Sequence, residues 1–170
     1  GDALAARSIS LAEPLELPAR ALVAMGGGKD SLVSLELLRG AGVDVQPVTV
    51  GASTLIGDTV RAAKLPLLRI QRELAPRLKE MNRAGAWNGH VPITAINMAI
   101  LSCAALLYGY RWVVFSNERS AEQATLTGRD GQAVNHQYSK SLAFERQFRN
   151  VIHERVAPDL EVFSLLRSLS

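Results

Sequence analysis

A chain of 170 residues that is 48% hydrophobic and 21% charged can fill one full-sized core, and reads as a single globular domain rather than a disordered or fibrous segment. Its net charge of +3 is too mild to select nucleic acid over small anions, and its single cysteine, Cys103, excludes an internal disulfide framework. Three scattered histidines beside one cysteine make a zinc centre unexpected, no signal peptide is visible, and the longest apolar run is shorter than a membrane span, so the expected compartment is the cytoplasm. The chain opens Gly-Asp rather than Met, which reads as an excised or processed piece.

Residues 1–19, with Pro14 and Pro18 and little periodicity, read as an approach segment to a domain over residues 20–170. A strand is expected over Arg20–Met25 and a helix over Asp30–Arg39, stopped by Gly40 and Gly42. Val43, Val45, Val48 and Val50 suggest a second strand, in which Pro47 points to an edge or a bulge because it cannot donate to a ladder. A short helix over Asp58–Lys64, a third strand over Leu67–Arg72 and a helix over Leu74–Arg83 follow. After a loop from Gly85 to Val91, Pro92 suits the first turn of a long helix ending near Gly109. Ile93, Ile96, Ile100, Leu101, Ala104 and Leu107 keep the helical period there. That helix is apolar around much of its circumference, so it is expected in the interior, with Cys103 an inert buried thiol and Asn97 a satisfied buried amide.

A fourth strand over Arg111–Ser116 leads to a loop from Leu126 to Asn135 with a turn at Asp130-Gly131. A helix over Ser139–Val156 places Phe148, Val151, Ile152 and Val156 on one face and Glu145, Arg146, Arg149 and Glu154 on a wet one; Leu160–Leu165 is the last strand. Alternating strands and helices predict an α/β fold, a twisted parallel sheet of about five strands with helices on both faces. Ligands of such sheets bind beyond the carboxyl ends of the strands, where the winding direction reverses.

Four polar segments are candidates for that position. In Gly26-Gly27-Gly28-Lys29-Asp30-Ser31, three glycines between a strand and a helix let backbone N–H groups approach an anion, and the helix N-terminus favours negative charge. Lys29 adds a charge and Ser31 a hydroxyl. A Walker loop is excluded because Val23 occupies its first glycine position, and a dinucleotide fingerprint because Ser31 occupies its third. Asn88-Gly89-His90-Val91-Pro92 sets a histidine before a helix start, as a general base, a phosphate ligand or a cap. Asn117-Glu118-Arg119-Ser120 offers a carboxylate for Mg²⁺ or a proton and a guanidinium fork for an anion, or an exposed ion pair. Asn135-His136-Gln137-Tyr138-Ser139-Lys140-Ser141 is an unbroken run of hydrogen-bonding residues ahead of a helix, either a binding segment or a solvated cap.

Gly27-Gly28-Lys29-Asp30-Ser31 resembles the S-G-G-x-D-S loop of the PP-loop (N-type ATP pyrophosphatase) class, with Gly26 in place of its leading serine. GGGKDS, NGHVP, SNERSA and VNHQYSKS, in this order from about Ala21 onward, resemble the narrower family of ATP-dependent UDP-N-acetylmuramoyl-L-alanyl-L-glutamate epimerases of bacterial cell-wall synthesis. Members of that family are considerably longer than this chain. The resemblance implies a PP-loop architecture, with the first and fourth strands adjacent at the switch point. It also implies ATP and Mg²⁺ as cofactors, and a UDP-linked muramoyl dipeptide as substrate. ATP contacts would fall to Gly26, Gly27, Gly28, Lys29, Asp30 and Ser31, and metal contacts to Asp30 and Glu118. Asn88, Asn117, Arg119, Asn135, Tyr138 and Lys140 would bind substrate, and His90, His136 and Glu118 would carry proton transfer.

The implied chemistry is physically coherent. A carboxylate beside Cα makes that C–H a very poor acid, and joining AMP to the carboxyl removes the charge and supplies an electron sink. A proton then leaves one face and returns to the other, and hydrolysis releases AMP. Two other readings of the loop remain open at this point. One is a tRNA- or base-modifying adenylating enzyme, disfavoured by 5% aromatic content and the absence of a CxxC pair; the other is a non-enzymatic adenine-nucleotide sensor.

Overall fold

The computed structural model describes every residue except 1–10, 52–55, 57–59, 62, 87–90, 119–125, 128–132, 135–137 and 169–170. The strands are β1 (Arg20–Ala24), β2 (Asp44–Val50), β3 (Leu68–Ile70), β4 (Trp112–Phe115), β5 (Leu126–Thr127), β6 (Ala133–Val134) and β7 (Glu161–Ser164). The helices are α1 (Lys29–Gly40), α2 (Pro76–Arg83), α3 (Ile93–Tyr108) and α4 (Leu142–Arg155), with 3₁₀ turns at Tyr138–Lys140 and Leu165–Ser168. Five strands form one all-parallel sheet in the order β3-β2-β1-β4-β7, while β5 and β6 pair as a small antiparallel hairpin. The α/β sheet read from the alternation of elements is therefore the observed architecture. The short helix expected at Asp58–Lys64 falls partly outside the described residues; Ile56, Val60 and Arg61 are helical.

After Arg20, β1 is a continuous apolar run because a parallel sheet is covered on both faces. Its residues divide between two cores: Leu22 joins Val48, Val113, Val162, Met98, Leu101 and Ile152 under α3 and α4, whereas Ala21 and Val23 join Val114, Leu35, Ile56 and Val60 under α1. Pro47 overturns the edge-strand expectation. It is fully buried and opposite Val23, in a strand that has neighbours on both sides. The ladder tolerates it because β3 pairs only with Val48–Val50. Beside Pro47 on that flank, the Gln46 amide instead donates to the Pro66 carbonyl at 2.7 Å.

Several expectations about the helices change. α3 carries no charged residue, yet only one side of it is buried, and Cys103 is exposed. On α4, Ile152 is buried and Phe144 and Phe148 pack against the core, but Val151 and Val156 are exposed. Glu145, assigned to the wet face, is 5% exposed. The helix also begins later than expected: Ser141 caps it, accepting from Phe144 N at 3.1 Å, and the preceding residues form the 3₁₀ turn.

The described part of the approach segment is strapped to the far end of the chain. The Asp159 carboxylate accepts from Leu15 N at 3.0 Å and Leu17 N at 2.8 Å, and Ala12 N donates to Glu154 O at 3.0 Å. Burial raises the Asp159 pKa, but the Leu17 and Leu15 N–H groups outweigh it and the net shift is below the ordinary 3.8. A carboxyl whose folded pKa is depressed stabilises the fold above its unfolded pKa and loses that contribution as pH falls through the folded value. Asp159→Ala should therefore lower Tm by roughly 2–4 °C at neutral pH, as for a loss near 1 kcal/mol. The difference from wild type should shrink in thermal melts below pH 3.8.

Candidate functional site

β1 runs out at Ala24, and Met25 N is held by Val48 O at 2.8 Å, which fixes the root of the glycine loop on the sheet. Gly27 sits at φ +82°, in the left-handed region that side chains rarely adopt, and a Cβ there would lie 3.2 Å from Ile56 Cγ1. Gly26 and Gly28 differ: a Cβ on either would meet nothing within 4 Å, and both glycines line a cleft of about 240 Å³. Gly28 is the N-cap of α1; the first-turn N–H groups have no intrahelical partner and no side chain caps them, the arrangement that favours an anion at a helix start. The Ser31 hydroxyl donates to Gly28 O at 2.9 Å, bracing the turn from within.

Phe115, Ser116 and Asn117 at the end of β4 form the opposite wall. The adjacency of β1 and β4 thus brings the first and fourth strand ends to one cleft, as the switch-point argument expected. Ser116 Oγ donates to Ser34 Oγ of α1 at 2.8 Å, which joins the two walls. Thr94 and Asn97 of α3 complete the lining. Asn97 Oδ1 is buried with no hydrogen-bond partner, contrary to the expectation of a satisfied amide. Such an orphan acceptor costs free energy unless a ligand or water donates to it. A second depression of about 410 Å³, lined by Gly51, Arg69, Gln71, Arg72 and Glu73, lies at the carboxyl ends of β2 and β3, on the same sheet edge.

Behind Asn117 runs a buried polar chain that sequence reading missed. Asn117 Nδ2 donates to Ser164 Oγ at 3.0 Å, and Ser164 Oγ donates to Glu145 Oε2 at 2.6 Å. Arg167 Nε lies 3.5 Å from the same Glu145 oxygen, with the two side chains 7% and 6% exposed. The Arg167 guanidinium also donates to the Lys140 carbonyl. The end of β4 and the 138–140 turn, two of the segments singled out in the sequence, are thereby held by one ion pair. Helical periodicity could not reveal it, because Glu145 acquires its partners from β7 and the last 3₁₀ turn.

The remaining candidates are dispersed. Asp30 lines the cleft, and Glu118, half-buried, follows Asn117. Lys29 is exposed and is not among the described lining residues. The Tyr138 hydroxyl donates to Gln147 Oε1 at 3.1 Å, and its ring meets Phe144 edge-on, so it is engaged with α4. Asn88, His90, Arg119, Asn135 and His136 lie outside the described residues. His153 Nε2 is 3.1 Å from Leu160 O and 3.4 Å from Glu161 Oε1.

The cleft suits a polyphosphate. It has an uncapped helix start, two glycines with open space where a side chain would stand, and an unpaired polar atom in its lining. Asp30 would repel phosphate by itself; a Mg²⁺ between them relieves that, since this ion commonly takes one or two carboxylates together with substrate phosphates. Among the described residues no group of three or more His, Cys, Asp or Glu comes together as a metal site.

Comparison with known proteins gives the lineage. A profile described as the MurL N-terminal domain matches residues 3–165. A curated protein of Xanthomonas oryzae pv. oryzae is 53% identical over 98% of this chain and 37% of its own length. Proteins of Salinispora tropica and a Micromonospora species are each 45% identical over 89% of this chain, and over 33% and 34% of their own lengths. All three are named UDP-N-acetyl-alpha-D-muramoyl-L-alanyl-L-glutamate epimerase. This chain therefore spans about a third of the length of the curated relatives it matches. With a match across most of its residues, the chain belongs to the MurL N-terminal domain family.

Proposed function

We propose that this chain is the ATP-binding part of an epimerase that inverts the terminal glutamyl Cα of UDP-N-acetylmuramoyl-L-alanyl-L-glutamate. The observation that carries the reading is 53% identity, over 98% of the chain, to a protein bearing that activity in its name. The cleft between the ends of β1 and β4 supports the nucleotide part of it. Bound ATP would supply carboxyl activation: a bond from the glutamyl carboxylate to the α-phosphorus would replace the one to pyrophosphate, which leaves, and the carboxyl of the resulting acyl adenylate, no longer charged, would make the Cα–H far more acidic. The chain's own residues bind and orient. The Gly26–Gly28 backbone and the start of α1 receive phosphates, and Asp30, with Glu118 as the second candidate, holds Mg²⁺ against them. Asn117, oriented by Ser164 and Glu145, offers its amide oxygen to the substrate while its NH₂ group is engaged.

Inversion needs proton removal from one face of Cα and delivery to the other. His90 and His136 are the candidates by chemistry, since imidazole exchanges protons near neutral pH, with Glu118 the competitor. The test is incubation of the full-length protein with ATP, Mg²⁺ and the L-Ala-L-Glu nucleotide in D₂O. AMP release together with deuterium at the glutamyl Cα is expected; deuterium without ATP, or AMP without inversion, overturns the reading. Replacing a true proton-transfer histidine by alanine should abolish Cα exchange while substrate-dependent adenylation persists. Wild-type exchange in both variants would hand the role to Glu118 or to a group outside this chain.

A further inference from the structure

The least explained surface is the outer face of α3. Ile96, Ala99, Ile100, Cys103 and Leu107 succeed one another at helical spacing on the side opposite Met98, Leu101 and Ala105, which are buried in the core. Every side chain of that stripe is apolar or a thiol. Leu107 is 81% exposed, Cys103 and Ala99 are exposed, and Ile96 and Ile100 are only half-buried. A surface helix of a finished globular protein ordinarily turns charged residues outward, and one that is apolar all round is a buried helix. Here the composition describes a buried helix and the domain buries half of it.

A second element has the same defect. α2 buries no residue, yet Leu74, Leu78 and Met81 form an apolar stripe along its approach and one face, with Lys79 and Glu80 on the far side. The α3 stripe in particular is continuous along its helix, a feature of the kind that marks interfaces rather than scattered surface leucines.

What covers α3 follows from length. The curated relatives continue for about twice as many residues again as this chain matches, so their lineage carries enough polypeptide for at least one further domain. We propose that the outer face of α3 is the seat of that additional polypeptide, packed on Ile96, Ala99, Ile100, Cys103 and Leu107. Thr94 and Asn97, in the first turns of the same helix, line the cleft. The seat is on the other side of the helix from Thr94, so α3 itself is the element shared by the cleft and the proposed contact. The inference stands apart from the reaction proposed above: it depends on surface chemistry and chain length, and holds for any activity.

Cys103 is the reporter. Maleimide labelling, read by mass spectrometry of the peptide carrying Cys103, is run on this chain alone and on the full-length polypeptide, each under native conditions and in urea. Rapid labelling is expected in this chain. In the native full-length polypeptide the rate should fall about tenfold or more, because labelling then waits on opening of the contact. Urea should restore it. Leu107→Glu should leave the circular dichroism and melting of this chain unchanged, and should raise Cys103 labelling in the full-length polypeptide towards that of the chain alone. Equal labelling in the two native proteins overturns the proposal. So does protection in this chain alone that grows with its concentration, which would assign the face to a second copy. A Leu107→Glu full-length protein that keeps wild-type protection of Cys103 also counts against it.

Discussion

Gly28→Val is expected to abolish ATP binding while leaving the fold intact, and Gly27→Val to damage both. The two glycines are adjacent in sequence and opposite in what they require. Gly28 has an ordinary extended backbone, φ −89° and ψ 167°, and open space where a Cβ would stand, so a side chain there costs the folded state little and intrudes on the cleft. Hydrogen bonds to a charged partner contribute about 1.5–3 kcal/mol each, so displacing a phosphate from one or two N–H groups weakens binding by roughly 10- to 10,000-fold. Gly27 at φ +82° cannot accept a β-branched residue without backbone strain, about 1–3 kcal/mol, before the contact with Ile56 is counted. Calorimetric titration with ATP and a thermal melt on each variant separate the cases. Wild-type affinity in Gly28→Val would remove the phosphates from this loop.

The second large effect is expected at Glu145. Glu145→Ala removes the carboxylate that lies beside the buried Arg167 guanidinium, a loss of about 3–5 kcal/mol, which is roughly 10 °C in Tm for a chain of this size. Buried ion pairs can often be exchanged for apolar residues at little net cost, so Glu145→Leu combined with Arg167→Met should recover most of that stability. It should not recover the site. Ser164 would then have no carboxylate to donate to, Asn117 would lose its orientation, and the Lys140 carbonyl would lose its donor. In the full-length protein the double variant is expected to keep a near-native Tm with a weakened site, seen as a raised KM for substrate. A stable double variant with unchanged kinetics would reduce the ion pair to a purely structural role.

Much of this fold is legible in the sequence because its signals are local. The apolar runs of β1 and β4, the glycines after α1, and Pro92 ahead of α3 each specify an element through nearest-neighbour chemistry. The parallel order follows from alternation of elements. What escapes is whatever depends on partners distant in the chain. Glu145 looks like a solvated charge until β7 and Arg167 arrive beside it; Pro47 looks like an edge residue until β3 proves too short to need its N–H. Asn97 misleads in the opposite direction, since its helix is apolar enough to suggest a satisfied amide, and only the geometry leaves its oxygen alone. The site shows the same division. The glycine loop and Asn117 were found as motifs, whereas Thr94 as a lining residue and the Ser164–Glu145–Arg167 support were not, because no periodicity or spacing marks them.

The central position of β1 also sets a timetable for a chain emerging from a ribosome. β1 is made early and needs neighbours on both sides, but it gains them far apart in time: Ala21 meets Val45 soon afterwards and Trp112 only much later. Until β4 is out, one edge of β1 stands bare, and the face carrying Leu22 waits for Met98 and Leu101 and then for Ile152. The strap at Leu17 waits longer still, for Asp159, 142 residues onward. Such long-range pairing slows folding and leaves open strand edges to wait, an interval in which nascent chains stick to one another. The glycine loop between β1 and α1 is thus built on a strand that becomes secure only when synthesis of the domain is nearly over.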